Sequence, residues 1–143
     1  CMRWLGLSKR CLEEASAYVA HRMSFGQTLA AHEGVQWMLG DVAKDIQIGR
    51  LLTMQAAWKL DQGDFARSDI SIAKIHAADT LHKAADTAIQ LLGARGYSKD
   101  TIVEWIYRYA RQARLVDGAS EIHKMVLSRA YLSEGQDFFR WGV

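Results

Sequence analysis

The sequence contains no proline at all. A chain that never locks φ with a pyrrolidine ring, and that carries long Ala-, Leu- and Ile-rich stretches, points to helices rather than strands and turns. Cysteine is almost as scarce, with only Cys1 and Cys11 present. That pair makes neither a disulfide framework nor a zinc spacing. The two read as inert or merely exposed thiols, consistent with a reducing compartment rather than secretion. An excess of one charge is lacking too. The formal net charge of +2 lies too near balance for a nucleic-acid binder. No apolar run reaches the length of a membrane span, and no signal peptide opens the sequence.

What is present amounts to one domain. The 143 residues, half of them apolar, can bury a single sizeable core. No internal repeat, low-complexity tract or domain boundary interrupts them. The first residue is Cys1 rather than methionine, as expected of a piece of something longer.

Hydrophobic periodicity then orders the chain. Leu5, Leu12, Ala15 and Val19 form a helical stripe within residues 2–22, broken at Ser24 to Thr28 around Gly26. A second helix is predicted over 33–62, with Val35, Leu39, Val42, Ile46, Leu52, Ala56 and Leu60 mostly on one face, before the turn at Gly63. The third pattern is the cleanest. Ile70, Ala73, Ala77, Leu81, Ala84, Ala88 and Leu91 recur at three- and four-residue steps, and Gly93 stands as a C-cap. Further helices are predicted over 99–114 and 119–132, with a frayed tail to Val143. Helices of this length on short loops pack antiparallel. The fold predicted is all-α, an up-and-down four-helix bundle with an extra C-terminal helix.

Most motifs have bland readings. His76 and His82 share a helix with Asp79 and Asp86, but no Glu-x-x-His pair exists to build a bundle metal site. They read as solvated or core-edge histidines, and no metal is expected. Gly93-x-x-Gly96 is no dinucleotide fingerprint, since no strand precedes it. Arg108, Arg111 and Arg114 with their neighbouring tyrosines read as a charged helix face. The stretch Arg111 to Arg129 holds more interest. It reads as a helix end, an acidic turn at Asp117-Gly118, and a new helix whose start carries Ser120, Glu121 and His123. A base beside an anion-friendly helix N-terminus is chemically useful, yet it specifies no reaction.

Four separated pieces add to this: Arg22-x-x-Phe25-Gly26, Gln90-Leu-Leu-Gly93-Ala94-Arg95-Gly96-Tyr97, Arg108-x-x-Arg111, and Asp117-Gly118-x-Ser120-Glu121-Ile122. In that order and spacing the chain resembles the C-terminal domain of acyl-CoA dehydrogenases. It is most similar to the branch with an acidic-Gly-x-x-Glu-[Ile/Val]-His turn, related to the vertebrate family members numbered ten and eleven. The resemblance implies a helical N-terminal domain and a middle β-domain absent from this sequence. It implies FAD as cofactor and α,β-oxidation of an acyl-CoA thioester to the 2-enoyl-CoA. An electron-transfer flavoprotein or similar acceptor and a homodimer or homotetramer are implied as partners, in fatty acid metabolism. The bundle alone is expected to be inactive.

Carried over residue by residue, Asp117 takes the place of the catalytic base, where most relatives have Glu. Arg22, Ser24 and Phe25 match the stretch that meets the FAD pyrophosphate and adenosine, and Gln90, Gly93 and Ala94 match a second; in the family both reach the FAD of a neighbouring subunit. Glu121 stands beside the flavin. Ala94, Ala119 and Glu121 depart from the usual Gly, Thr and Gln. These departures leave room for two other readings. One is a same-fold flavin oxidase resembling nitroalkane oxidases, which also use an Asp base. The other is a helical interaction module without catalysis. Oxygen consumption separates the first from a dehydrogenase, and a parent protein purified without flavin would favour the second.

Overall fold

The computed structural model describes residues 1–140. Helices α1 (Met2–Val19), α2 (Glu33–Asp61), α3 (Arg67–Leu92), α4 (Ala94–Tyr97), α5 (Val103–Gln112) and α6 (Ser120–Glu134) carry the fold. Only residues 62–66 join α2 to α3, so the two run back along each other. Helices α1 and α2 pack together and against α3, while α5 and α6 lie on its other sides. The all-α expectation holds.

Helix α3 explains how this packing closes. The sequence predicts a single apolar seam, and Ala73, Ala77, Leu81, Ala84, Ala88 and Leu91 are indeed buried. Ala78, Ala85, Leu92, Ser71, Lys74 and Thr80 are buried as well, so neighbours cover most of the helix's circumference and leave a stripe at Asp79, Lys83, Asp86 and Gln90 exposed. Alanines make this possible, because a small side chain lets a neighbouring backbone come close. On α2 the same role falls to Gly49, where an added Cβ would stand 2.6 Å from the Leu5 side chain. One residue departs from the seam: Ile70 is 38% exposed. Leu60, at the far end of α2, is exposed as well.

Histidine 76 reads as predicted, at the edge of the core. Its Nε2–H donates to the Asp45 carbonyl at 2.8 Å and ties α3 to α2. His82 stacks loosely on Tyr107. Neither histidine bonds to Asp79 or Asp86 in the way their shared helix surface suggested. Asp79 instead pairs with Arg114 at 2.9 Å.

Two elements escaped the periodicity. A two-stranded ribbon, β1 (Met23–Ser24) with β2 (Gln27–Thr28), follows α1, with Met23 opposite Thr28 and Ser24 opposite Gln27. Phe25 and Gly26 turn it with φ of +50° and +82°, the doubly left-handed geometry of a tight hairpin. A ribbon this short leaves no period-2 pattern to find. The tail is the other. Residues Gly135–Phe139 form a 3-10 turn, held by Phe138 and Phe139 edge-on against Tyr131, rather than fraying. The rest of the predicted tail, 141–143, lies outside the described residues. Helices α1 and α5 are shorter than predicted, since 20–22 and 99–102 are taken up by turns.

Candidate functional site

The acidic turn is built from two consecutive left-handed residues, Asp117 at φ +55° and Gly118 at φ +88°. A non-glycine residue there costs about 1 kcal/mol or more, so the surroundings must enforce it. They do so from both sides. Behind the turn, the Ser120 N–H donates to the Arg114 carbonyl at 3.0 Å and closes the loop. In front, His123 on α6 lies 3.1 Å from the Asp117 carbonyl through Nε2 and 3.1 Å from the Ser71 hydroxyl through Nδ1. The Arg114–Asp79 pair adds another link from this loop to α3. The Asp117 carboxylate itself is left exposed, flanked along the chain by the exposed apolar side chains of Leu115, Val116 and Ile122. Glu121 and half-buried Ala119 lie beside it.

Beneath the turn sits an unexpected charge. Lys74 is only 4% exposed, and its ammonium has no hydrogen-bond partner among the described residues. It lies 5.7 Å from the centre of the Trp4 ring, a cation–π contact. Burial pushes its pKa below the ordinary lysine range, while the carboxylates of Asp117, Glu121 and Asp79 act in the opposite sense. Sequence reading missed Lys74 and Ser71, since a polar residue in a helix pattern is normally assigned to the solvent face.

The second group of predicted residues gathers elsewhere. Arg22 follows α1, and Gly93 ends α3 with φ +61°. An open cleft of about 400 Å³ is lined by Arg22 and by Leu92 and Arg95 on either side of Gly93 in the chain, with Tyr18, His21 and Thr101 among others. Two guanidinium groups, Arg22 and Arg95, therefore face one cleft; the nearby Glu14 carboxylate is engaged by Arg10 at 2.6 Å. A Cβ at Gly93 would meet nothing within 4 Å, so a ligand can approach the backbone there. Ala94 and Gln90 are exposed next to it. Gly96 is different: its Cβ would stand 2.9 Å from the Ile89 Cα, so glycine is what lets α4 fold back onto α3.

Ser24 and Phe25 sit on the ribbon next to Arg22. His32 pins that ribbon, with Nε2–H donating to the Ser24 carbonyl at 3.1 Å and Nδ1 taking the Gln27 amide at 3.1 Å. The result is a Phe25 ring held out at 97% exposure.

The structure thus brings Arg22, Ser24 and Phe25 to the same end of the bundle as Gln90, Gly93 and Ala94, and places Asp117 with Glu121 at the other. Ser71, which contacts His123, and Gln90 are separated along α3 by about 28 Å at the helical rise.

Residues 1–132 match the family described as "Acyl-CoA dehydrogenase, C-terminal domain". The chain is 36% identical over 124 residues to the short-chain specific acyl-CoA dehydrogenase of Clostridium acetobutylicum, spanning 87% of this chain and 33% of that protein. Butyryl-CoA dehydrogenase from Megasphaera elsdenii superposes with a TM-score of 0.86 at 31% identity, over 90% of this chain and 34% of that one. A glutaryl-coenzyme A dehydrogenase in complex with glutaryl-CoA superposes with a TM-score of 0.85 at 30% identity, over 98% and 35%. The chain spans about a third of the length of these relatives.

Proposed function

This chain belongs to the acyl-CoA dehydrogenase family, and from that membership we propose that it works as the C-terminal domain of a longer FAD-dependent enzyme that oxidises an acyl-CoA thioester to the 2-enoyl-CoA. The reading also gives that enzyme the helical N-terminal and middle β-domains of the family. One observation carries it: a carboxylate held outward on an enforced left-handed turn, among exposed apolar side chains, where the matching position is the base.

Asp117 takes the α-proton of the thioester. The C–H electron pair becomes the new double bond as a hydride leaves the β-carbon. FAD, when bound, supplies the acceptor for that hydride. The proton rests on an Asp117 oxygen and passes later to solvent. The exposed side chains of Leu115, Val116 and Ile122 suit the exclusion of water around an acyl chain once other parts of the enzyme cover them.

The residues of the second group fit a pyrophosphate. Arg22 and Arg95 supply fork-like donors on one cleft, and Gly93 lets an oxygen reach the backbone. This cleft and Asp117 occupy opposite ends of α3. That separation supports assigning the cleft, with Ser24, Phe25, Gln90 and Ala94, to the FAD of a neighbouring subunit. The enzyme is then a homodimer or homotetramer, with an electron-transfer flavoprotein or similar acceptor as its redox partner. The ring of Phe25, out in solvent on the single chain, suits contact with that neighbour.

Two measurements follow. Anaerobic titration of the full-length enzyme with a panel of acyl-CoA thioesters should bleach the flavin absorbance for at least one chain length. A flavin that no thioester bleaches would leave the oxidase reading in its place, and purified protein without flavin would leave the interaction module. In the same enzyme Arg22→Ala should weaken FAD retention by about tenfold, the loss of one charge-assisted phosphate contact of roughly 1.5 kcal/mol. Equal FAD affinity in variant and parent would remove Arg22 from the site.

A further inference from the structure

The contact between His123 and the acidic turn does more than a surface hydrogen bond does. Asp117 and Gly118 are both left-handed, and such a pair makes no repeating backbone hydrogen bonds of its own. The peptide between them has no such bonds to hold it, and a displacement of it would carry the Asp117 main chain and its carboxylate along. The carbonyl of that peptide is the atom that His123 holds, at 3.1 Å. A carbonyl oxygen only accepts, so Nε2 carries the proton. In the neutral ring Nδ1 then accepts, and the hydroxyl of Ser71, a residue only 3% exposed, is the donor it meets at 3.1 Å. The ring is therefore fixed at both nitrogens, between the turn and the central helix.

Gly118 completes the fit. A Cβ at that position would stand 2.9 Å from His123 Nε2, so the imidazole lies flush against the turn. Glycine is required there both for φ and for the ring.

We propose that His123 is a positioning residue: clamped by Ser71, it holds the Asp117 main chain against the bundle in the place from which the Asp117 carboxylate is presented. This rests on the reading of Asp117 as the base. Ser71 and His123 touch no reacting atom. They act through the backbone of the residue that does, and proton transfer from carbon depends steeply on that placement.

The test uses the full-length enzyme. In His123→Ala the rate of flavin reduction by a competent thioester should fall about tenfold to a hundredfold, the loss that goes with a misplacement near 1 Å. KM and the flavin spectrum should stay close to the parent's, because the turn is not what holds the thioester or the cofactor. His123→Gln should recover most of the rate, since its amide N–H reaches a similar position. Ser71→Ala, which frees the ring without removing it, should show a smaller loss of the same sign, and it decides the matter should His123→Ala fold poorly. Amide hydrogen exchange gives a readout independent of turnover. The segment 114–120 should exchange faster in His123→Ala, with the rest of the bundle unaltered. The proposal is overturned by a His123→Ala rate within about twofold of the parent and unchanged exchange, while Asp117→Asn is inactive. Turnover surviving in Asp117→Asn would instead overturn the base reading, and this inference with it.

Discussion

Asp117→Asn in the full-length enzyme is expected to abolish turnover while leaving the flavin spectrum nearly unchanged. A positioned general base is worth about 10²- to 10⁴-fold, and an amide cannot take the α-proton at neutral pH. The substitution is a clean one for this site. Asparagine is among the few residues that tolerate the left-handed region, so the φ of +55° survives the exchange. The carbonyl that receives His123 belongs to the backbone and survives too. Binding of thioester without bleaching of the flavin is the signature to look for in an anaerobic titration. Normal turnover would remove Asp117 from the chemistry and sink its assignment as the base.

The largest effect on stability should come from Leu81→Ala. Leu81 is fully buried at the middle of α3, the helix on which α1, α2, α5 and α6 all pack. Truncating it removes the transfer free energy of the side chain and leaves a cavity that rigid helices on several sides cannot close. Values of about 3–5 kcal/mol are typical for such a site. For a domain this size that lowers Tm by about 10 °C, against a total stability of about 5–15 kcal/mol. Urea unfolding of variant and parent checks the figure. A loss under about 1 kcal/mol would mean that the α3 environment is loose enough to collapse. The surrounding alanines argue otherwise, since they have no rotamers with which to fill a gap.

The site was legible in the sequence only in parts. The turn could be read because two residue types announce it: an acidic residue before a glycine, between two helical patterns. Its place in the chemistry came from resemblance, since the spacing itself named no reaction. The clamp on the turn was not legible. Histidine 123 stood in view as a polar group near a helix start, but its partner Ser71 lies 52 residues away. Lys74 was hidden for a related reason. Its own helix pattern gives no sign that α6 and Trp4 of α1 will enclose the face it occupies. The cleft at the other end was half visible: Arg22 and Arg95 both stood in motifs, but their sharing one opening depends on α4 turning back onto α3 at Gly96.

The sequence by itself determined the helices, their capping glycines, the one-domain scale and most of the core face of α3. Each of these follows from free energies that act within a few residues along the chain: propensity, φ preference, and apolar side chains recurring at the helical period. The tertiary structure decided which faces of α3 remain open: only the stripe through Asp79, Lys83, Asp86 and Gln90 stays exposed along its second half. It decided that the Asp117 carbonyl is held from α3 through His123. It also decided that the two groups of candidate residues stand at opposite ends of the bundle. Those are pairings between segments far apart in the chain, set by how whole helices fit together, and no local pattern encodes them.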